Sequence, residues 1–261
     1  MILAIDIGNT NVVIGVVDEN KMYFIERVAT VKTKTEAEYA IDLKILLELH
    51  NVNLQDITGG IVSSVVPQIT KMMQIAAEKV IGKVMLVLGP DTKTGLDVLI
   101  DNPNQLGSDL IAGSVAGIAQ YKVPMVIIDM GTATTLAVID KHKNYLGGMI
   151  VPGVMVALES LTAHASQLQG ISLDAPKSVI GKNTIDCMAS GVVYSNADMI
   201  DGLVDRIEAE LGEAVSVVAT GGLAKLITPY CKREVILDDD LLLKGLLIIY
   251  NMNTRRKKDE L

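Results

Sequence analysis

LAIDIGNTNVVIGVVD (residues 3–18) and VIIDMGTATTLAVID (residues 126–140) share one plan: an apolar run, an Asp, any residue, a Gly, then Thr-bearing turn chemistry and more apolar residues. The apolar run reads as a buried strand, and the Gly lets the backbone turn tightly with its N–H groups bared. The two copies lie 123 residues apart, from Asp6 to Asp129, in a chain of 261. That spacing is half the chain and too long for a solenoid period. It fits a duplicated domain, with an N-terminal domain over 1–118 and a C-terminal domain over 119–261.

Between the copies the chain alternates strands and helices. LAID and NVVIGVV form a hairpin around GNT. A helix is expected over Thr35–Leu49, with Asn51 as its stop. GGIVSSVVP is a short strand and loop. Pro67 opens a helix that Gly82 ends, and VMLVLG is the next strand. Ser108 is the expected N-cap of a helix running through Ile118. PMVIID, ATTLAVID and YLGGMIV make a meander with KHKN as a turn. Helices follow over Val154–Ala165 and from Thr184 to about Leu211. VSVVAT is a strand, Gly221-Gly222 a tight turn, REVIL a last strand and LLLKGLLIIYNM a last helix. Meanders joined by crossover helices are an α/β class.

Composition narrows the function. Net charge is −8 with no large basic stripe, so nucleic acid is not an expected partner. A membrane span needs about 18 apolar residues, and the best run, LLLKGLLIIY, is broken by Lys244. MILAID has no basic start and meets Asp6 at once, so no secretory signal is expected there. Without one, the terminal KDEL is expected to be a chance match to a retention address, and the RRKK before it a solvated cluster. The tail over 254–261 is expected to be disordered. Cys187 and Cys231 are expected to be reduced thiols in the core, consistent with a cytoplasmic protein. With one Phe, seven Tyr and no Trp, the core must be aliphatic. No G-x-G-x-x-G follows the first strand, which argues against a dinucleotide-binding oxidoreductase.

The repeated loops carry the chemistry. Bared amides and short hydroxyls suit phosphate oxygens, and Asp6 suits a hydrated Mg²⁺ riding on them. Asn9, Thr10 and Asn11 supply donors in the first loop; Thr132, Thr134 and Thr135 do so in the second. Two such loops at homologous ends of duplicated domains are expected to face each other across a cleft and hold one polyphosphate. In LGSDL, a helix start at Ser108 puts Asp109 in the first turn, where the positive helix end favours a charged carboxylate. A general base needs such a charge within reach of a hydroxyl. A first-turn Asp is also common for stability alone.

The markers DIGNT (6–10), SSVVP (63–67), GPDTKTGL (89–96), DNPNQLGSD (101–109), IDMGTATT (128–135), GGMIVPG (147–153), IGKNT (180–184), ATGGLAKL (219–226) and LLLKGLLIIYNMN (241–253) occur in this order. Together they resemble the type III pantothenate kinases, which include the Bvg accessory factor-like proteins. The resemblance implies two duplicated ribonuclease H-like domains, as in acetate and sugar kinases and actin, with ATP in a central cleft. It implies ATP-dependent phosphorylation of pantothenate to 4′-phosphopantothenate, with Mg²⁺ and a monovalent cation, K⁺ or NH₄⁺. It also implies a homodimer with the acceptor pocket near its interface.

Roles follow by motif. Asp6, Ile7, Gly8, Asn9, Thr10, Asn11, Val12 and Val13 match the first phosphate loop, Thr132 an ATP contact in the second, and Gly221 and Gly222 the adenosine-side turn. Asp129 matches the monovalent-cation ligand and Asp109 the catalytic base. Ile100, Gly107, Ser108, Asp109, Leu110 and Thr184 fall at pantothenate-pocket positions. Three residues depart from the family. Leu110 stands where an Arg is common, Ile100 where many members have Tyr, and Gln169 follows Leu168 where Leu-Pro is common. A lost charged hydrogen bond predicts pantothenate binding weaker by roughly 10- to 100-fold; Lys182 is a candidate replacement cation. The departures keep two alternatives open: a non-catalytic regulatory or binding protein on this scaffold, and a kinase of another small hydroxylated substrate.

Overall fold

A computed structural model of the chain describes residues 1–254. Of the tail expected over 254–261, Thr254 is helical instead; the RRKK and KDEL segments over 255–261 lie outside the described residues.

The duplication is written in the strand orders. The first sheet is built from β1 (Ile2–Ile7), β2 (Asn11–Val17), β3 (Met22–Ala29), β4 (Gly60–Ser64) and β5 (Met85–Val87), in the order β3-β2-β1-β4-β5. Between these strands run α1 (Glu36–Leu49) and α2 (Pro67–Ile81), and α3 (Ser108–Gln120) follows β5. The second sheet holds β6 (Asp97–Val98), β7 (Met125–Met130), β8 (Ala133–Ile139), β9 (Asn144–Pro152), β10 (Ser216–Thr220) and β11 (Ile236–Leu237). Its order, β11-β10-β7-β8-β9-β6, read backwards from β9 repeats the first order strand for strand. In each sheet an antiparallel three-strand meander is followed by a parallel neighbour to the meander's first strand. This is the expected α/β fold with duplicated ribonuclease H-like topology. β3 extends the first hairpin into a meander that its weak burial alternation concealed.

The chain's compact units are not contiguous in sequence. The first comprises Met1–Leu96, Asp101–Ala119 and the stretch from Asp240 onward; the second comprises Asp97–Ile100 and Gln120–Asp239. The second unit adds α4 (Val154–His164), α5 (Thr184–Leu211) and α6 (Ala224–Ile227), and the last helix, α7 (Leu241–Thr254), returns to the first sheet. The reason is hydrophobic. Leu243, Leu246 and Ile249 of α7 join Ala112 and Val115 of α3 over Ile2, Ala4 and Ile61, one face of the first sheet. Leu3, Ile5 and Ile7 face the other way, toward α1 and α2. With both faces covered, β1 is buried throughout, which explains why it reads as a continuous apolar run. In the second unit Val126, Ile128 and Met130 face α5 and α6.

Local signals set the helix ends. Thr35 and Glu38 form a capping box at α1. Pro67 opens α2 and Gly82 closes it in the left-handed region. Asn183 caps α5 by accepting from the Asp186 N–H. Among the described residues no helix is long and apolar enough to cross a membrane.

Candidate functional site

In the first unit, the ends of two strands and the start of one helix meet at a corner. Strand alternation puts Asp6 on the sheet face of Ile2 and Ala4, the face that α3 covers. Asp6 is 8% exposed and pairs in parallel register with Ser63. The Ser63 hydroxyl donates to Ser108 Oγ at 2.9 Å, the Ser64 N–H donates to the same atom at 3.0 Å, and Ser108 Oγ donates to the Ser64 carbonyl at 3.1 Å. Ser108 therefore does not cap α3 as its sequence position leads one to expect. The Gly107 carbonyl receives the Ile111 N–H and α3 begins at Ser108. The serine hydroxyl is consumed by β4, tying the helix start to the strand beside Asp6.

That tie positions Asp109. It is half-buried at the second helical residue, and its Oδ1 accepts the Leu110 N–H at 2.8 Å. A Cβ at position 107 would lie 2.4 Å from that same oxygen, so glycine there makes room for the carboxylate to curl back over the helix start. Burial pushes the Asp109 carboxyl above its ordinary value of 3.8, against the smaller downward pull of the Leu110 and Asp109 N–H groups. The helix-end benefit expected from sequence is outweighed by desolvation. If Asp109 must be ionised to accept a proton, the acid limb of kcat/KM should lie at a pH above that of a solvated aspartate. Activity should fall as pH drops through this raised value, and a pH–rate profile measures it. An acid limb at or below pH 3.8 would deny Asp109 that role.

The first loop is held from within and from β3. Gly8 N–H donates to the Asn11 carbonyl at 3.0 Å, Thr30 N–H donates to the Thr10 carbonyl at 2.9 Å, and Thr30 Oγ1 donates to the Gly8 carbonyl at 2.7 Å. Asn9, Thr10 and Asn11 are exposed. Ile7 and Val12 send their side chains into the core, so only their main chain is available to a ligand; Val13 is half-buried on the other face. Thr30 carries no motif of its own and Ser63 lies in SSVVP with no role read from it; only the fold reveals their positions.

The second loop is one residue shorter. Asp6 pairs with Val13, whereas Asp129 pairs with Thr135. Gly131 N–H donates to the Ala133 carbonyl, and Gly153 N–H to the Thr132 carbonyl. Asp129, half-buried, shares its end of the sheet with Thr135 and Thr220, its partners on β8 and β10. Thr132 is exposed. Gly221 has φ +95°, and a Cβ there would lie 2.6 Å from both Asp129 Oδ1 and the Met130 nitrogen. The turn after β10 thus rests directly on Asp129, with Gly222 exposed beside it.

The remaining predicted residues lie elsewhere in the second unit. Ile100 stands against Gly147 of β9. Thr184, at the start of α5, lines a cavity of about 800 Å³ with Leu158, Leu161, Lys182 and Cys187. Asp6, Gly107, Ser108, Asp109 and Leu110 belong to the first unit and do not line this cavity. The cysteines correct the expectation of two core thiols. Cys187 is exposed, and Cys231 is half-buried, its thiol pushed up to about 11 mainly by burial, with Asp201 adding to it. Asp238 is buried and accepts the Tyr121 hydroxyl at 2.7 Å.

Residues 2–206 match the family model described as type III pantothenate kinase. A protein of Exiguobacterium sp. named type III pantothenate kinase is 43% identical over 255 residues, covering 98% of this chain and 100% of that one. Among solved structures, a Campylobacter jejuni protein described as a conserved Baf family transcriptional activator is 21% identical with a TM-score of 0.58, over 97% of this chain and 100% of that one. The activator of 2-hydroxyisocaproyl-CoA dehydratase from Clostridium difficile, solved with bound ADPNP, is 15% identical with a TM-score of 0.59, over 99% and 97% of the two chains. These two likenesses concern the fold.

Proposed function

This chain belongs to the type III pantothenate kinase family, and from that membership we propose a reaction centre at the corner of the first unit where Asp6, Ser63, Ser108 and Asp109 converge. The enzyme is a kinase. It moves the γ-phosphoryl group of ATP to the primary hydroxyl of pantothenate, giving ADP and 4′-phosphopantothenate, the first step of coenzyme A biosynthesis.

Phosphoryl transfer is mostly positioning and charge stabilisation. The amides and hydroxyls of residues 8–11 bind phosphate oxygens. Asp109 orients the pantothenate hydroxyl and takes its proton as the oxygen–phosphorus bond forms and the bond to ADP breaks. Gly107, Ser108 and Leu110 form the acceptor side. The second loop contributes Thr132 to nucleotide binding, and Gly221-Gly222 serves the adenosine side. The observation that carries the reading is the hydroxyl chain linking β4, beside Asp6, to the start of α3 at Asp109.

Among the described residues no group of three or more His, Cys, Asp or Glu could hold a metal ion. Asp6 is a single hard oxygen donor, suited to Mg²⁺ whose other ligands are phosphate oxygens and water. Asp129 is suited to K⁺ or NH₄⁺ as an oxygen donor, and the Gly221 turn packs directly against its Oδ1. Both ions would neutralise phosphate charge. A homodimer is supported by apolar residues left exposed on α4 and around the start of α5: Met155, Val156, Leu161, Ile180 and Ile185. The substrates are those of a cytoplasmic enzyme.

A coupled ADP assay with pantothenate, pantetheine and small sugars tests the function. ADP release should require pantothenate and rise with K⁺ or NH₄⁺ over Na⁺. Release with a sugar alone would favour a different acceptor, and no release with any acceptor would favour the non-catalytic reading. The Leu110 departure gives a second test. Leu110→Arg should lower the KM for pantothenate by about 10- to 100-fold, the effect of restoring a charged hydrogen bond. An unchanged KM would separate position 110 from the acceptor pocket.

A further inference from the structure

Thr134 follows the second loop, is fully buried, and its hydroxyl has no hydrogen-bond partner. The duplication tells what that position needs. Thr134 pairs with Met130 just as Val12 pairs with Ile7, and Val12 is equally buried. Valine therefore fills the matching corner of the first unit with no polar atom. Threonine has valine's shape, but burying its hydroxyl unpaired carries a cost that valine avoids. An orphan hydroxyl of this kind requires an explanation beyond packing.

Its surroundings supply one. Alternation puts Thr134 on the face of β8 that carries Leu136 and Val138, and those residues pack with Val154 in the first turn of α4. Gly153 is the N-cap of α4, with no side-chain cap, and its N–H donates to the Thr132 carbonyl. The unpaired hydroxyl thus lies beside the second loop, on the face of β8 that packs toward the start of α4.

We propose that Thr134 is a positioning residue for the nucleotide: with nucleotide at the second loop, its hydroxyl bonds the main chain of the Gly131–Ala133 turn and fixes Thr132. The inference rests on the reading of this loop as nucleotide-binding. A bond formed only in the liganded arrangement favours that arrangement by its own free energy. The cost of the unpaired hydroxyl then falls on the free protein.

Thr134→Val in the full chain tests this. Its melting temperature without nucleotide should equal or exceed that of the parent. The upward shift caused by a non-hydrolysable Mg·ATP analogue should shrink, and the KM for ATP should rise about fivefold or more, the size expected for one hydrogen bond. The KM for pantothenate should stay within about twofold, and Thr134→Ser should restore the ATP parameters. Ser114, whose hydroxyl is also buried and unpaired on α3, gives the control: Ser114→Ala should leave the KM for ATP unchanged. A lower melting temperature in Thr134→Val, or an unaltered response to nucleotide, overturns the proposal. A parent protein that does not respond to the analogue removes the nucleotide reading itself, and this inference with it.

Discussion

Asp109→Asn should lose turnover by about 10²- to 10⁴-fold, the range expected for removing a general base, while still binding ATP and melting no lower than the parent. The three results come from one geometry. Asparagine keeps the size of the side chain, fits over Gly107, and retains an oxygen to accept the Leu110 N–H. It cannot take a proton from the acceptor hydroxyl. The stability result follows from the raised pKa. Between the ordinary value of 3.8 and the raised folded value, the unfolded chain has released the Asp109 proton and the folded chain has not. Stability therefore falls as pH rises through that window, and at neutral pH the ionised carboxylate opposes folding. Asparagine removes that opposition. Steady-state kinetics, a nucleotide-binding titration and a thermal melt at neutral pH check the three parts. Full turnover would end the assignment of Asp109 as base. Lost activity together with a clearly lower melting temperature would recast the residue as structural.

Gly221→Ala should strongly damage the second loop region. The residue sits at φ +95°, where a Cβ is strained, and that Cβ would lie 2.6 Å from Asp129 Oδ1 and from the Met130 nitrogen. Left-handed strain costs about 1–3 kcal/mol and overpacking a further 1–3 kcal/mol. The melting temperature should fall by several degrees. Because the displaced atom is the Asp129 carboxylate, the half-activating concentration of K⁺ or NH₄⁺ should also rise, at any temperature where the variant remains folded. Gly222→Ala, on an exposed neighbour with open space at its Cβ position, should show neither effect. A melt and a cation titration equal to the parent's would detach the turn from Asp129.

The sequence reveals the duplication because its cause is local. Each copy needs a buried strand, an Asp and a turning Gly, and these lie within eight residues of one another. Helix ends were legible for the same reason: Thr35, Pro67 and Gly82 act on their immediate neighbours. What escaped depends on distant partners. Ser108 reads as a cap until the fold brings β4 to its hydroxyl, 44 residues away in the chain. Thr30 carries no signal of its own; the meander brings its hydroxyl to the Gly8 carbonyl. The return of α7 to the first sheet could not be read from an apolar helix alone, since periodicity gives the sticky face and not its partner. The sign of the Asp109 shift was hidden likewise, because burial is a property of the packed corner while the helix end is a property of the sequence.

The central claim is that phosphate and acceptor hydroxyl meet where β1, β4 and α3 of the first unit come together. Backbone amide NMR during titration with a non-hydrolysable Mg·ATP analogue, then with pantothenate, tests it most directly. The account predicts nucleotide-induced shifts at Gly8–Asn11 and pantothenate-induced shifts at Gly107–Leu110. Shifts absent from both stretches, with the perturbed amides gathered instead around the α4–α5 cavity, would contradict it.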